Sequence, residues 1–376
     1  RLLDDALGAA APSVLPPLPT PPAPGDDGPW HFRNKVHFVF GSGARGRSLV
    51  MGHFRRGSRV VVPVAECPVH AEEGNRVAYA MRDALQEAAI PAAAPDGSGG
   101  LARHIVVRVA EHDHAWLATL VVVENAKVLR RVTADFLRAI ELGASPAAGD
   151  VPRWGYDLNV HDRPGSFLFG RATLHLAGAT EVRELIAGVA YVATPAAFFQ
   201  TNVRAADVLV RAVLASAVPE RGDDQRVLDL YSGAGFFALP LAQKGCAVTA
   251  VEENREAMAS ARKACRLNRI PERLFRALAS RVEDATARLT PRGDGVHWHA
   301  VVLDPPREGC PPAVLHWVLR RARPPRVVYV SCNPEALARD LRQAAPAGYR
   351  VSSVQPIDMF PHTAHVESVA VLDRQA

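Results

Sequence analysis

Residues 30–41, WHFRNKVHFVFG, alternate apolar and polar positions and end on glycine, the pattern of a half-buried strand running into a turn. RVVVPVAECPV at 59–69 continues in strand character. EEGNRVAYAMRDALQEAAIP carries helical spacing and stops at Pro91. LARHIVVRVAEHDHAWLATLVVVE predicts two strands around a polar turn, and a helix follows over 132–142. The stretch 148–170 is loop-rich and leads through TLHLAG into YVATPAAFFQTN. From about residue 190 the texture changes. ADVLVRAVLASAV is helical. RVLDLYSGAGFFALPLAQKG, CAVTAVEENREAMASARKACRLNRI and RVVYVSCNPEALARDL each read as a strand followed by a helix. HAVVLDPPREG is a buried strand ending in two prolines, and 349–374 closes with two strands.

Strands alternating with helices predict a largely parallel sheet covered on both faces. The fold expected is α/β, with a C-terminal Rossmann-like sheet from 190 to 376 and an α+β domain from 30 to 189. The stretch from Pro12 to Pro29 is rich in proline, glycine and aspartate, so residues 1–29 read as a lead-in. No fixed-period repeat is visible.

Composition narrows the partners. No run reaches the roughly 18 apolar residues of a membrane-spanning helix, and the first 30 residues have no continuous apolar core of a signal peptide. Five cysteines, an odd number with no CxxC pair, suit a reducing compartment rather than a disulfide framework. The net charge of +5 permits a nucleic-acid partner without requiring one.

In open parallel sheets ligands sit beyond the carboxyl ends of the strands. Four such ends carry DLYSGAG, VEEN, LDPPR and SCNP. Gly233 and Gly235 allow close backbone approach to a ligand. The third glycine of the dinucleotide fingerprint is missing, and Phe236 and Phe237 stand where a pyrophosphate would dock. Glu252, ending the next strand, can accept hydrogen bonds from both hydroxyls of a ribose. A ribose without a pyrophosphate points to S-adenosylmethionine. Asp304 tips the third strand, and Arg307 stands where enzymes that methylate exocyclic amines usually place an aromatic ring.

Cys332, at the tip of the fourth strand, could be a packed core thiol, a metal ligand or a nucleophile; the alignment with three ligand-bearing strand ends favours the nucleophile. Pro334 opens a helix behind it whose N-terminus would favour a thiolate. Carbon 5 of uracil becomes enolate-like when a thiolate adds at carbon 6. A base must then remove the carbon 5 proton, and Glu367, beside His365, is the candidate.

On FFQTN, DLYSGAG, VEEN, LDPPREG, VSCNPEALARDL and DMFPHTAHVESV, extended by FRNKV and AECPV, the chain resembles the bacterial RNA uracil-C5 methyltransferases, class I S-adenosylmethionine enzymes acting on tRNA and large-subunit rRNA. The resemblance implies Cys332 as nucleophile and Glu367 as base. Gln200, Tyr231, Glu252 and Asp304, with the Gly233–Gly235 loop, would bind S-adenosylmethionine. Phe198 would lie against the extruded base. Arg307, Arg33 and Lys35 would face RNA, and the N-terminal domain would be the RNA-binding one. The substrate expected is large-subunit rRNA, with tRNA second; the enzyme is expected to be cytoplasmic and monomeric. Cys67, in ECPV, resembles the fourth ligand of a [4Fe–4S] cluster whose other cysteines would lie upstream of Arg1. Two departures stand out: Phe236 replaces a frequent asparagine, and Ser280 or Arg281 stands where an acidic or amide residue is usual. Cys310, Cys246 and Cys265 read as packing residues, and His112, His114, His297 and His299 as turn and edge residues. The competing readings are an inactive RNA-binding relative and a small-molecule methyltransferase.

Overall fold

The alternating run near the start becomes the strand Lys35–Ser42 in the computed structural model, which describes residues 2–8, 11–43, 48–143, 154–163, 168–195, 199–218, 225–289 and 297–375. The chain divides into two units. One comprises Pro22–Glu184 and Val192–Thr201; the other comprises Arg1–Pro21, Leu185–Tyr191 and Asn202–Ala376.

The first unit is built on a seven-stranded sheet. Its order is Val61–Pro63, Leu49–Phe54, Lys35–Ser42, Ala102–Ala110, Ala115–Val122, Trp154–Val160 and Ala172–Gly178. All pairings are antiparallel except Ala115–Val122 with Trp154–Val160. Ala115–Val122 is buried at every position, so its sequence is an unbroken apolar run rather than an alternation. Helix Glu72–Glu87 sets Val77, Ala78, Met81, Ala84 and Leu85 into the core. It approaches the sheet closely at Gly74, where an added Cβ would lie 2.3 Å from Val36 Cγ2. Helix Leu129–Gly143 adds Val132, Phe136 and Ile140 to the same core.

The second unit carries an eight-stranded sheet, ordered Ser13–Val14, Tyr349–Ile357, Glu367–Arg374, Arg326–Ser331, Ala300–Leu303, Arg226–Leu230, Ala247–Glu252 and Phe275–Ala279. Only Glu367–Arg374 runs against its neighbours; every other pairing is parallel. The central strands are apolar on both faces, as the runs VLDL and AVVL require. Strand order reverses after Arg226–Leu230, which leaves a crevice at the carboxyl ends.

The division differs from the expected boundaries at the start of the chain. Arg1–Pro21 belongs to the sheet unit, and Ser13–Val14 hydrogen-bonds to Tyr349–Ile357 as an edge strand. Proline suits that place, since an edge strand can spare the N–H groups that proline lacks. Among the described residues no helix is long and apolar enough to cross a membrane.

Candidate functional site

Strand Arg226–Leu230 leaves the sheet at Tyr231, whose φ of 65° lies in the left-handed region. Gly233 and Gly235 follow at φ 54° and 82°. Their surroundings differ. A Cβ on Gly235 would meet the Leu239 side chain at 2.9 Å and Ala261 at 3.3 Å, whereas a Cβ on Gly233 would meet nothing within 4 Å. Gly235 lets the loop pack, and Gly233 borders open space. The helix expected from Phe236 begins later, as the short Ala238–Gln243.

Glu252 closes this loop. Its carboxylate accepts from the Gly233 N–H at 3.0 Å and the Asn254 N–H at 2.8 Å. A carboxylate has about four acceptor positions, so room remains for ribose hydroxyls. Asp229, the last residue but one of strand Arg226–Leu230, is fully buried. Burial and the neighbouring Asp304 hold its carboxyl far above the usual range. Burial also pushes Asp304 up to about 7. Three carboxyls thus converge at the strand ends. The open space at Gly233 and the remaining acceptor positions of Glu252 fit the ribose of S-adenosylmethionine.

Cys332 follows strand Arg326–Ser331 directly. In the antiparallel ladder with Glu367–Arg374, Ser331 pairs with Ser368. Cys332 comes directly after Ser331, and Glu367 directly before Ser368, so the two stand next to the last pair of the ladder. Glu367 is buried, and desolvation followed by the Asp304 charge pushes its carboxyl up to about 8, against a downward pull from Arg307. Burial, then the Glu367 charge, raises the Cys332 thiol, while Arg307 lowers it. The expected help from the helix N-terminus is accordingly not what dominates. Helix Pro334–Leu341 does start where expected, but Asn333 caps it, accepting from the Glu335 and Ala336 N–H groups. Those donors are already engaged.

The loop after Asp304 is bound to that same helix. Asn333 Nδ2 donates to the Arg307 carbonyl at 2.9 Å, and Arg339 donates to the Glu308 carbonyl. Buried Asp340 accepts from the Cys310 N–H at 2.8 Å and from the Tyr329 hydroxyl at 2.6 Å. The Cys310 thiol, beside the Tyr231 phenol, is pushed up to about 12 by burial and Asp340, which agrees with an inert packing role. Asp340 and Tyr329 escaped the sequence reading, because an aspartate in PEALARDL looks like part of a solvated helix face.

The structure thus brings Tyr231, Gly233, Gly235, Glu252, Asp304, Arg307, Cys332 and Glu367 to one row of strand ends in one unit. Gln200 lies in the other unit, two residues before Asn202, which caps helix Val203–Ala217. Phe198 lies outside the described residues.

Arg33 and Lys35 belong to the first unit with Arg108. Burial, then Arg108 and Arg33, lowers Lys35 to about 8. Cys67 is also in that unit and is its single cysteine. The groups beside it are His53 and His70. Among the described residues this group supplies one thiolate, where a [4Fe–4S] cluster takes four. Neither histidine was singled out in the sequence, although the Cys67-x2-His70 spacing is a recognisable metal-ligand signal.

Comparison with known proteins agrees with this geometry. The sequence profile of the tRNA (Uracil-5-)-methyltransferase family matches residues 182–375. An uncharacterized RNA methyltransferase of Gloeobacter violaceus is 35% identical over 372 residues, covering 99% of this chain and 75% of that protein. Another, of Geobacter sulfurreducens, is 34% identical, with 97% and 69% covered. Among solved structures, the Pyrococcus abyssi tRNA (uracil-54, C5)-methyltransferase in complex with S-adenosyl-L-homocysteine superimposes with a TM-score of 0.72 at 26% identity, covering 98% of this chain and 80% of that one. With its reversed sheet order and strand-end carboxylates, the chain belongs to the S-adenosylmethionine-dependent RNA (uracil-5-)-methyltransferase family.

Proposed function

We propose that this enzyme methylates carbon 5 of a uridine in RNA through a covalent adduct to Cys332. The observation that supports the reading is that Cys332 follows Ser331 directly, Glu367 adjoins its ladder partner Ser368, and the Glu367 charge acts on the Cys332 thiol. S-adenosylmethionine, when bound, supplies an electrophilic methyl group. Glu252 would hold its ribose hydroxyls, Asp304 and Tyr231 would orient it, and the family resemblance adds Gln200 to its contacts. Cys332 Sγ, once ionised, would form a bond to uracil carbon 6 and make carbon 5 nucleophilic. After methylation, Glu367 would take the carbon 5 proton. The electron pair of that C–H bond would restore the 5,6 double bond and expel the Cys332 thiolate. Arg307, whose charge favours both ionised groups, would also balance the electron density passed to the uracil ring. Phe198 would pack on the extruded base, and Arg33 and Lys35 would contact phosphates.

The substrate proposed is large-subunit rRNA before tRNA, and the setting a cytoplasmic monomer. No step runs through an iron–sulfur cluster. Cys332→Ala, assayed with methyl-labelled S-adenosylmethionine and RNA, is expected to abolish transfer while leaving cofactor affinity unchanged. Undiminished carbon 5 methylation would refute the adduct. Cofactor binding without turnover in the unaltered protein would favour the inactive RNA-binding alternative. Mass mapping of rRNA and tRNA from a deletion strain identifies the target: loss of 5-methyluridine from tRNA alone would exclude rRNA.

A further inference from the structure

The segment after Asp304 has an exposed tip and a buried foot. Pro306, Arg307 and Glu308 are exposed, whereas Gly309 and Cys310 are buried. Gly309 turns the chain back at φ 93°, and its N–H donates to the Pro306 carbonyl at 2.9 Å. It also lies directly on helix Pro334–Leu341. A Cβ there would stand 2.6 Å from Asp340 Oδ2 and 3.3 Å from Ala336 Cβ, and would overlap the Arg339 guanidinium. Glycine alone allows that approach in that conformation. The place of Arg307 is therefore set at the foot, where the chain meets Asp340.

Asp340 faces inward from the helix and is only 4% exposed. Its Oδ2 accepts from the Cys310 N–H and the Tyr329 hydroxyl, and its Oδ1 accepts from Arg339 Nε at 2.9 Å. Tyr329 stays a donor, because burial and then Asp340 push its phenol well above the ordinary range. Tyr329 belongs to strand Arg326–Ser331, which leads straight into Cys332. One carboxylate oxygen thus joins the strand that ends at Cys332, the loop that carries Arg307 and the helix behind both. Arg339, held by the other oxygen, donates in turn to the carbonyl of Glu308, the neighbour of Arg307. Stability alone does not call for a carboxylate here, since burying one is costly. What it supplies is a fixed spacing between three elements of the site.

We propose that Asp340 is a positioning residue for the methyl transfer, holding the foot of this loop so that the Arg307 guanidinium stays beside Cys332 and Glu367. The inference rests on the role given to Arg307 above and adds what fixes its place. The charged groups acting on Cys332 are Glu367, Arg307 and Asp304, and those acting on Glu367 are Asp304 and Arg307. Of these, only Arg307 is a cation, so its displacement leaves the carboxylates unopposed. Around Asp340 itself stand Tyr329, Cys310 and Arg339, and Tyr231 and Glu283 act on Cys310. The sign of the effect separates two roles. Were Asp340 to act on the thiol by its own charge, removing that charge would make the thiolate easier to form. Acting through Arg307, its removal lets the cation drift and makes the thiolate harder to form. Asparagine is the suitable probe, because it keeps the shape but has one acceptor oxygen. Its amide nitrogen would face either the Cys310 N–H or the Arg339 guanidinium, donor against donor.

The test is the pH dependence of Cys332 alkylation by iodoacetamide in the full chain, read from the mass of the peptide that carries it. The readout follows thiolate formation and needs no RNA, cofactor or turnover, and the other four cysteines are buried. Asp340→Asn is expected to slow alkylation at pH 8 roughly threefold, which moves the profile up by about half a pH unit. Arg307→Gln should do the same, and Asp340→Asn added to Arg307→Gln should change nothing further. Tyr329→Phe removes one donor without altering charge and should move the profile the same way by less. It decides the matter where Asp340→Asn does not fold. A lowered melting temperature with an unmoved profile, in whichever of these two variants folds, would overturn the proposal and leave Asp340 a packing role. So would a profile moved to lower pH, or a shift that persists in full on the Arg307→Gln background. The adduct is judged separately: methylation that survives Cys332→Ala refutes the adduct and leaves these shifts standing.

Discussion

In the proposed mechanism Glu367 and Cys332 must both be ionised, and the surroundings hold both protonated to higher pH than usual, Glu367 to about 8. Activity is therefore expected to climb with pH and to keep climbing above pH 8, because the Cys332 thiol is held above the ordinary thiol range, as a pH–rate profile would show. Stability should move the other way. Between the ordinary value of 4.5 and about 8, the folded protein keeps a proton on Glu367 that the unfolded chain has lost, so stability falls as pH rises through that window. Asp304 acts in the same sense between 3.8 and about 7. Glu367→Gln should flatten the decline in melting temperature above pH 5 while eliminating proton removal; a melting curve at each pH checks the first. The two glycines of the cofactor loop separate by their surroundings. Gly235→Ala should unfold at a temperature several degrees lower, because its Cβ meets Leu239 and Ala261. Gly233→Ala should cost only about 1 kcal/mol of backbone strain but raise the KM for S-adenosylmethionine, since the open space it fills is where the cofactor is proposed to bind. Most of these residues were legible in the sequence, because glycines, diprolines and a thiol at strand ends mark a ligand row. The ionisation of Cys332 was not: the carboxylates that oppose it come from strands 28 and 35 residues away.

At the scale of elements, helix Pro334–Leu341 does two things with one cap. Asn333 satisfies its leading N–H groups and also holds the Arg307 carbonyl. Asn333→Ala is expected to lose about 1 kcal/mol from the cap alone. It should also loosen the loop that carries Arg307 and reduce kcat beyond what the stability loss explains; kinetics well below the melting temperature distinguish the two. The periodic elements were the easiest to anticipate. The pattern over 72–91 became helix Glu72–Glu87, and the two strands of 101–124 became Ala102–Ala110 and Ala115–Val122. The strand Ser13–Val14 was not anticipated, because its stability comes from pairing with Tyr349–Ile357 rather than from local periodicity among prolines. His53 and His70 escaped for a similar reason: 17 residues apart, on a strand and a turn, they become neighbours only through tertiary structure.

For the molecule as a whole, the +5 charge and the Arg33–Lys35 pair of the first unit suit a polyanionic substrate. Arg33→Ala should weaken RNA binding and reduce the salt dependence of affinity by about one phosphate contact, measured as the slope of log K against log salt. Unchanged slope would remove Arg33 from the interface. The sheet of the second unit has a consequence for synthesis. Glu367–Arg374 is made after both strands that flank it, Arg326–Ser331 and Tyr349–Ile357, and must enter between them. A chain still emerging from the ribosome therefore holds Cys332 beside an open gap, without its carboxylate partner. If the proposed mechanism holds, a nascent enzyme carries its nucleophile before that strand slots in, yet has no means of finishing a turnover.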